Sequence, residues 1–526
     1  MENNILSEKK SFNKPNFQIN SYLLLFILAI LGFIITVLIM VSDFNSDFII
    51  MTSLYDSMFV DHLPMAGWNF CATTEFFPDM LLFFPIKWAI PDLIYSNMAF
   101  AFIMLLIYSY FTFKLFETLK MTWIKTHEYW ALSLFYLAVV LSCPISNTAQ
   151  RLWPTSHAGI VVAGLAIVLI TCSLITKQRY TVSIFILQLI LSAALITSDH
   201  LIVSQFLVPI VTAIGIFAIL GLIQWRYAII TLISYALGYI IAELILWYLR
   251  VHLHFSLPQF NFKLFELRSF LQFVYDMHHS EIMIEFISTI LCFVISVAIL
   301  ISNFKFIKRL KTDRNDAIYI GIYMSILFLS QLFWTVTAPI ISGNWNDEGS
   351  FRYLSSLWFI SPIMSIWFIS FYLYNKNNGV LEKRIKNIII LILLTIFVYN
   401  NYSFIRNSDS HILLKPYPGK VECVDSIARE FSVKYAYSGY WPAKYLTVLS
   451  IYGLRVNQWD NNLNEYHWLN NKGWYTNAPM PNGKEPVMIL TGEMNNNLIL
   501  KNFGEPKAIR QCEGFGQIYV YPKRIQ

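Results

Sequence analysis

The sequence predicts an all-α transmembrane bundle followed by a soluble α/β domain. Eleven apolar stretches of membrane-spanning length lie between Ser21 and Phe404, and the residues after them are polar and rich in turn formers. A helix needs ~20 mostly apolar residues to cross ~30 Å of hydrocarbon, where it satisfies its own backbone polar groups. The composition agrees, because 56% of the residues are hydrophobic and only 13% are charged. Soluble proteins usually contain ~25% charged residues.

Polar or turn-forming residues separate the apolar stretches and define the ends of each helix to within ~2–4 residues. About eleven transmembrane helices are expected within residues 21–404. The predicted spans are 21–41, 94–113, 128–143, 158–176, 181–197, 201–223, 228–248, 282–303, 317–341, 353–374 and 387–404.

Lys and Arg concentrate in alternate connections between the spans, from residues 9–14 to residues 376–386. Because connections rich in Lys and Arg stay in the cytoplasm, we expect the N-terminal segment, 1–20, on the cytoplasmic side of a bacterial inner membrane. The C-terminal domain is then expected in the periplasm. The first span is longer than the apolar part of a cleavable signal peptide, so it is expected to remain as an anchor. The net charge of +6 comes largely from these connections and predicts no nucleic-acid partner.

Two outer loops, 42–93 and 250–281, are longer than a helix bundle needs, and loops of this length are usually functional or disordered. In the first loop, residues 48–60 and 80–90 mix apolar and polar side chains, as helices on a membrane surface do. The second loop contains another amphipathic segment at 262–275. We therefore expect ordered structure beside the outer membrane face.

Residues 405–526 predict the soluble α/β domain. Two helix-like patterns, at 421–431 and 443–451, occur among strand-like segments. The strand-like segments lie near Tyr435 and in LRVNQW, PVMIL, KAIRQ and QIYVY.

Four cysteines lie on or near the predicted outer side, where an oxidising compartment allows disulfides. Cys423 with Cys512 is the favoured pair, because it would join the two ends of the C-terminal domain. Cys71 with Cys143 is a second candidate pair.

Two acidic residues directly follow the first span. A carboxylate at Asp43 or Asp47 would lie at the boundary of water and lipid, where a raised pKa suits a general base acting on a lipid-linked substrate. The alternative is structural, since Ser46 or Asp47 is also suited to capping the following helix and Asp43 to solvation.

Further polar groups lie close to hydrocarbon on the same side, and ionisable groups at such depth are functional candidates. Arginine matches a lipid phosphate in charge and forked geometry. An internal ion pair, for example Arg151 with Asp199, is the competing interpretation. The candidates for substrate or phosphate binding are Arg151, His157, Asp199, His200, Arg352 and Tyr353.

Histidines and carboxylates near the ends of the second outer loop leave a divalent metal open as a cofactor, but no cofactor is predicted with certainty. Their spacing matches no zinc pattern, and interfacial histidines are the alternative, so no metal ligand is assigned. No phosphate-binding glycine loop, nucleophile elbow or CxxC pair occurs. The residues concerned are His252, His254, Asp276, His278, His279 and Glu281.

Aromatic residues of the C-terminal domain lie in polar, Asn-rich stretches. Rings with an apolar face and a polar edge suit contact with a sugar, so Tyr440 and Trp441 are candidates for acceptor binding. Packing in the domain core is the alternative.

The arrangement resembles the GT-C superfamily of membrane glycosyltransferases. The resemblance covers the many spans, the long acidic first outer loop and the terminal outer domain, together with Arg352-Tyr353-Leu354 followed by Pro362, which is similar to an RY-L-P pattern of several such families. It implies a catalytic Asp or Glu in the first outer loop, at Asp43 or Asp47, and a polyprenyl-phosphate sugar as donor. The acidic pairs of protein mannosyltransferases and the WWDYG motif of oligosaccharyltransferases are absent. The particular donor, acceptor and metal dependence of those two families therefore cannot be transferred to this sequence.

These observations predict an enzyme of the inner membrane that moves a sugar from a polyprenyl-phosphate carrier to an outward-facing glycan or glycolipid, such as a cell envelope polysaccharide. Its expected partners are membrane lipid, the lipid-linked donor and the acceptor. Two alternatives stay open: a transporter or flippase for a lipid-linked substrate, and a membrane scaffold without activity of its own.

Overall fold

The computed structural model describes residues 21–40, 46–70, 73–119, 126–141, 157–257, 267–279, 283–307, 310, 316–375, 379–407, 417–476 and 478–523. Within these residues the protein is mostly helical, with a small sheet near the C-terminus. The helices are α1 (Ser21–Met40), α2 (Ile50–Phe59), α3 (Leu81–Ala89), α4 (Leu93–Thr118), α5 (Thr126–Leu141), α6 (Ala158–Lys177), α7 (Val182–Ser198), α8 (Val208–Ile219), α9 (Trp225–Val251), α10 (Leu267–His279), α11 (Met283–Asn303), α12 (Asp316–Ile341), α13 (Ser355–Asn375), α14 (Gly379–Asn407), α15 (Gly419–Glu430), α16 (Tyr440–Leu449) and α17 (Asn496–Phe503). The strands are β1 (Tyr435–Ser438), β2 (Arg455–Gln458), β3 (Val487–Leu490), β4 (Ala508–Cys512) and β5 (Gly516–Tyr521).

Within the described ranges, five helical segments are long and apolar enough to cross a membrane, which indicates a membrane protein. Five further apolar helices, of 10–17 residues, overlap other predicted spans, and the last predicted span lies in the more polar α14. The helical membrane domain is therefore present, while the full count of eleven spans remains a prediction. The five segments are Leu93–Thr118, Gly159–Lys177, Trp225–Val251, Ala317–Ile341 and Ser350–Phe371.

The helices of the bundle differ in how much of their surface the protein covers. The most apolar window of Ser350–Phe371 is 94% buried, whereas that of α9 is only 33% buried. Helix α13 packs on α5, α11 and α12 in the interior, whereas α9 packs mainly on α7 and α8. The apolar residues that α9 leaves exposed are therefore suited to contact lipid.

Helices are present in both long loops where the sequence predicts surface helices, whose place at a membrane surface remains a prediction. In the first loop, α2 and α3 correspond to the predicted segments 48–60 and 80–90, and Pro85 lies inside α3. In the second loop, α10 overlaps the amphipathic segment predicted at 262–275, of which residues 262–266 lie outside the described residues. Helices α2 and α3 are too short to cross ~30 Å of hydrocarbon.

The C-terminal domain contains one five-stranded sheet in the order β2-β1-β3-β5-β4. Strands β2, β1 and β3 are parallel, and β5 pairs antiparallel with β3 and β4. Helices α15 and α16 cover one face of the sheet and α17 covers the other. Because both faces are covered, all four residues of β3 are buried and apolar, as in parallel sheets generally.

The C-terminal domain is docked onto the first outer loop. Ile49, Leu93 and Ile94 belong to the same buried cluster as α15 and α16. Further along the loop, the carboxylate of Asp61 accepts hydrogen bonds from Arg455, at 2.8 and 2.9 Å, and from Nε1 of Trp474, at 2.7 Å. This contact fixes the domain over the loop that follows the first span.

The cysteines agree with the favoured pairing. A disulfide joins Cys423 of α15 to Cys512 of β4, with 6.0 Å between their Cα atoms. Cys172 and Cys292 are buried free thiols inside the bundle. The second candidate pair, Cys71 with Cys143, lies outside the described residues.

Candidate functional site

The carboxylate of Asp47 faces the C-terminal domain. A short 3₁₀ turn, Ser46–Ile49, leads into α2 and packs against α16. The Ser46 hydroxyl donates to the backbone carbonyls of Tyr440 and Trp441, at 2.8 and 2.6 Å, and the Tyr440 hydroxyl donates to Asp47. The N-cap of α2 is Ile49, without a side-chain cap, so neither Ser46 nor Asp47 caps that helix.

Arg352, with Tyr353 beside it, lies near Asp47. Both belong to a 3₁₀ segment, Glu348–Leu354, that leads into α13. The Arg352 guanidinium lies over the Tyr353 ring, 5.3 Å from its centroid, and it is close enough to Asp47 for the two charges to interact. Nε2 of the buried Gln205 donates to the Tyr353 carbonyl at 2.8 Å and ties this segment to the chain before α8.

Two further carboxyl groups, Glu75 and Asp79, are buried, and Glu75 is close enough to both Asp47 and Asp79 for their charges to interact. They are only 7% and 4% exposed. Their segment is fastened to the end of α7, because the backbone N–H groups of Thr74 and Glu75 donate to the Ser198 carbonyl at 2.9 and 3.2 Å. Glu75 adopts a left-handed backbone conformation, with φ 53°, which is uncommon for a residue other than glycine.

The position of Asp79 depends on a glycine in the first turn of α6. A Cβ atom at Gly159 would overlap Oδ2 of Asp79 and Cδ of Pro78. The backbone N–H of Gly159 donates to the Asp79 carboxyl, and Oδ1 of Asp79 has no hydrogen-bond partner among the described residues. Burial raises the pKa of Asp79 to about 7, although the bond from Gly159 opposes this rise.

Glu75 connects these groups into a carboxyl cluster, defined as Asp47, Glu75, Asp79 and Asp199. Burial raises the pKa of Glu75 well above its usual value, and the negative charges of the other three carboxyl groups raise it further. A raised pKa keeps a carboxyl group protonated to a higher pH than usual. The cluster therefore contains two buried carboxyl groups of raised pKa, Glu75 and Asp79.

Asp199 pairs with His157, while His200 points to another helix. Nδ1 of His157 lies against the Asp199 carboxylate, and the backbone N–H of Leu201 donates to Asp199 at 2.8 Å. Nε2 of His200 lies 2.9 Å from Glu243 of α9. The competing interpretation from the sequence paired Asp199 with Arg151, which lies outside the described residues, as does Asp43; within them Asp199 pairs with His157.

Glu243 also faces Arg250, with 4.0 Å between Nη2 and the carboxylate. His200 therefore belongs to a separate group on α9 and not to the carboxyl cluster. Of the residues predicted from the sequence, Asp47 is hydrogen-bonded to Tyr440 and lies near Arg352. Asp199, paired with His157, belongs to the carboxyl cluster.

The C-terminal domain contributes the loop after β1. From β1 the chain passes through α16 to β2 on one side of β1, and β3 is then added on the other side. The strand order therefore reverses between β1 and β3. Ligands of such sheets bind beside the strand ends at this point. Tyr440 and Trp441 lie there, the Trp441 side chain is exposed, and its backbone N–H donates to Glu493 at 3.3 Å.

Other aromatic residues of the domain are structural. Trp459 is buried and stacks on Tyr437, with ring centroids 3.8 Å apart, and Trp474 forms part of the contact with Asp61. Trp459 is therefore a core residue, and Trp474 is a residue of the interface with the first outer loop. The exposed ring of Trp441 lies next to Tyr440, with ring centroids 5.0 Å apart.

The histidine and carboxylate group of the second outer loop does not form a metal site within the described residues. No set of three His, Cys, Asp or Glu side chains there could hold a metal ion. Asp276 accepts instead from Nε1 of Trp345, at 2.9 Å, and from Gln272, at 2.7 Å. His252 contacts the rings of Trp247 and Tyr248.

Two cavities inside the helix bundle lie apart from the candidate site. One is lined by residues of α4, α6, α12 and α13, and the other by residues of α1, α4 and α5. Both linings are almost entirely apolar and include none of the carboxyl cluster, so these cavities are packing features.

Sequence reasoning left Glu75, Asp79 and Gln205 out of the site. One signal was available, because the stretch TTEFFPDM places two acidic residues four apart, directly before the apolar segment that forms α3. Acidic residues so close to an apolar segment require partners in the folded protein. Gln205 carries no such signal, since a single Gln in an apolar stretch is compatible with many roles.

Comparison with known proteins identifies no relative. No family model matches the chain, and a search of curated proteins gave no match.

Proposed function

We propose that this chain is a glycosyltransferase of the bacterial inner membrane, similar to the GT-C superfamily. It moves a sugar from a polyprenyl-phosphate carrier to an outward-facing glycan or glycolipid. One observation supports this proposal: Asp47 accepts a hydrogen bond from Tyr440 and is close enough to Arg352 for their charges to interact. These three residues come from distant parts of the chain. A carboxylate and an arginine beside a membrane face are the groups that transfer from a lipid phosphate requires.

Arg352 binds the phosphate of the carrier in this mechanism. Its guanidinium is exposed and held over Tyr353, and a fork of N–H donors matches phosphate oxygens. As the bond between the anomeric carbon and the phosphate oxygen breaks, negative charge develops on the leaving phosphate. The positive charge of Arg352 stabilises that group as it leaves.

Asp47 acts as the general base. The acceptor hydroxyl attacks the anomeric carbon and loses its proton to the Asp47 carboxylate as the new glycosidic bond forms. The hydroxyl of Tyr440 orients the carboxylate. Glu75 and Asp79 are too deeply buried to contact the acceptor, and their role is to set the charge around Asp47.

The acceptor approaches from the side of the C-terminal domain in this proposal. The exposed Trp441 offers a flat ring beside Tyr440, at the sheet position where ligands of such domains bind. The membrane domain crosses the bilayer eleven times, with the N-terminus in the cytoplasm and the C-terminal domain in the periplasm. Donor lipid then reaches Arg352 from the outer leaflet.

The test is sugar transfer by protein reconstituted into liposomes. A panel of polyprenyl-phosphate sugars, each with a radiolabelled sugar, is supplied, and release of label from the lipid is measured. Wild type releases label from at least one donor, and Asp47→Asn and Arg352→Ala lose this release by a factor of ~10² or more. Glu505→Gln, an exposed acidic residue between α17 and β4, is the matched control and retains full release.

Full activity of Asp47→Asn, of Asp43→Asn and of the double variant, each present in the membrane in folded form, rejects the assignment of the base. Movement of labelled donor between leaflets without any release of sugar contradicts the proposed reaction and favours a flippase. Binding to a partner protein, together with inactivity across the whole panel, favours a scaffold.

A further inference from the structure

Helix α10 exposes one apolar face and buries the opposite one. Ser269 and Asp276 are each only 1% exposed on the buried side. Five large apolar side chains on the other side are 44–59% exposed and follow the i, i+3, i+4, i+7 spacing of a single helix stripe. They are Leu267, Phe270, Leu271, Val274 and Tyr275.

The buried face of α10 holds the segment that carries Arg352. Asp276 accepts a hydrogen bond from Nε1 of Trp345 at 2.9 Å, and Phe273 lies edge-on against the same indole, with ring centroids 5.0 Å apart. Trp345 is fully buried and packs in turn on Phe351, 5.2 Å away. Phe351 immediately precedes Arg352, so a short series of contacts joins α10 to the candidate site.

The buried carboxylate fixes the rotation of α10 about its axis. Burial of a charged side chain is costly unless its oxygens are hydrogen-bonded, and the two oxygens of Asp276 are bonded by Trp345 and Gln272. The Gln272 bond lies within α10, so a large rotation of the helix would break the bond from Trp345 and leave that oxygen of Asp276 buried without its partner. The apolar stripe is therefore held outward.

The neighbours of α10 indicate what covers this stripe. Only residues 280–282 separate α10 from α11, a helix that exposes Ile287, Ile290 and Phe293 on its own surface. Helix α9, which precedes the loop, exposes Trp247 and Tyr248 near its end, and aromatic residues are enriched at the level of lipid headgroups. Along the chain, α10 thus lies between two helices that expose apolar surface as well.

Helix α10 is not suited to cross a membrane. Its 13 described residues span ~20 Å at the helical rise, less than the ~30 Å of hydrocarbon, and Arg268, Gln272 and Asp276 interrupt its apolar sequence. A short helix with one apolar stripe and buried polar groups on the other side lies along the surface of a bilayer.

We infer that α10 is a membrane-surface helix whose apolar stripe contacts the lipid of the bilayer face next to the first outer loop, and that this contact holds Trp345, Phe351 and thereby Arg352 in place. The inference goes beyond the proposed function and does not depend on it. It assigns α10 a positioning role that acts through Arg352, and its partner is the lipid surface.

The first test locates residue 271 relative to lipid. A fluorescent amino acid replaces Leu271 in the full chain, which is placed in nanodiscs containing lipids with a nitroxide on an early or a late acyl carbon. Quenching is expected to be strong, and stronger for the early carbon. The matched control carries the fluorophore at Ile509, an equally exposed apolar residue of β4, and is not quenched.

Equal quenching of the fluorophores at residues 271 and 509 overturns the inference. So does an unquenched fluorophore at position 271 in particles that contain two copies of the chain, because a second copy is then the partner that covers the stripe.

The second test examines the coupling to Arg352. Leu271→Glu places a charge in the stripe, and hydrogen exchange of the backbone amides of residues 345–354 is expected to become several-fold faster in nanodiscs. Ile509→Glu is the control and leaves this exchange unchanged. Unchanged exchange in a folded Leu271→Glu protein overturns the coupling, and if that variant fails to fold, the fluorescence measurement still decides whether lipid contacts the stripe.

Discussion

Burial separates the carboxyl groups of the site into two kinds. Asp47 is partly exposed and accepts from the Tyr440 hydroxyl, whereas Glu75 and Asp79 are enclosed by the end of α7 and the start of α6. Desolvation disfavours the charged form, so the enclosed pair holds protons at a pH where an exposed carboxyl group has lost them. The site therefore contains a partly exposed carboxyl group, Asp47, and two buried carboxyl groups of raised pKa.

The pKa of Asp79 predicts how stability depends on pH. It rises from 3.8 to about 7 in the folded protein, so the folded protein binds more protons than the unfolded chain between these values. Stability is consequently expected to fall as the pH rises through this window. Asp79→Asn, which is neutral throughout, should melt at a higher temperature than wild type above pH 7 and at a similar temperature below pH 4.

The measurement is the melting temperature of detergent-purified protein across this pH range. Glu505→Gln, an exposed acidic residue, is the control and should follow wild type. Parallel melting curves for Asp79→Asn and wild type at every pH would contradict the assigned pKa.

The sequence predicts Asp47 and Arg352 as site residues because each borders an apolar span, and that feature is local. Glu75 and Asp79 do not border an apolar span, so the same feature does not predict them as site residues. Their burial depends on Ser198 and Gly159, which lie far along the chain, and no local pattern reports such contacts.

Between elements, the contact of the first outer loop with the C-terminal domain decides where the site lies. The turn Ser46–Ile49 packs on α16, and Asp61 anchors the far end of the loop to Arg455 and Trp474. The two contacts hold the loop at two points. These contacts of the loop with the C-terminal domain hold Asp47 next to Tyr440.

Asp61→Ala is expected to weaken this docking. It leaves the Arg455 guanidinium and the Trp474 N–H without their acceptor, and loss of such partners costs about 1–3 kcal/mol in each case where they remain buried. We expect a lower melting temperature and faster release of a C-terminal fragment by trypsin.

The control removes an ion pair of the same type at an exposed position. Glu117→Ala breaks a pair with Lys114 whose side chains are 58% and 39% exposed, and such exposed pairs contribute little to stability. Equal losses of stability in the two variants would show that the Asp61 contact does not anchor the domain.

The limits of most helices and strands follow from the sequence because their signals are local. Apolar length marks the spans, and short β-branched or aromatic runs mark the strands of the C-terminal domain. Helix α17 went unpredicted, since its eight residues, NNLILKNF, offer less than three turns of periodic pattern. The order of the strands and the docking onto the first loop went unpredicted as well, because they arise from contacts between distant segments.

The molecule as a whole combines a helical membrane domain with a docked α/β domain, and the proposed site lies between them. The account requires this site to face the periplasm, where a polyprenyl-linked sugar and an outward-facing acceptor meet. The distribution of Lys and Arg in the sequence supports this orientation. The disulfide between Cys423 and Cys512 agrees with an oxidising compartment.

The location of the C-terminal domain tests this requirement most directly. Cysteines are placed singly at Glu505, in that domain, and at Lys305, between α11 and α12. Intact spheroplasts are treated with a membrane-impermeant maleimide, and mass spectrometry identifies the labelled peptide. The account predicts that position 505 is labelled in intact spheroplasts and position 305 only after lysis; labelling of 305 in intact spheroplasts, with 505 reached only after lysis, would contradict it.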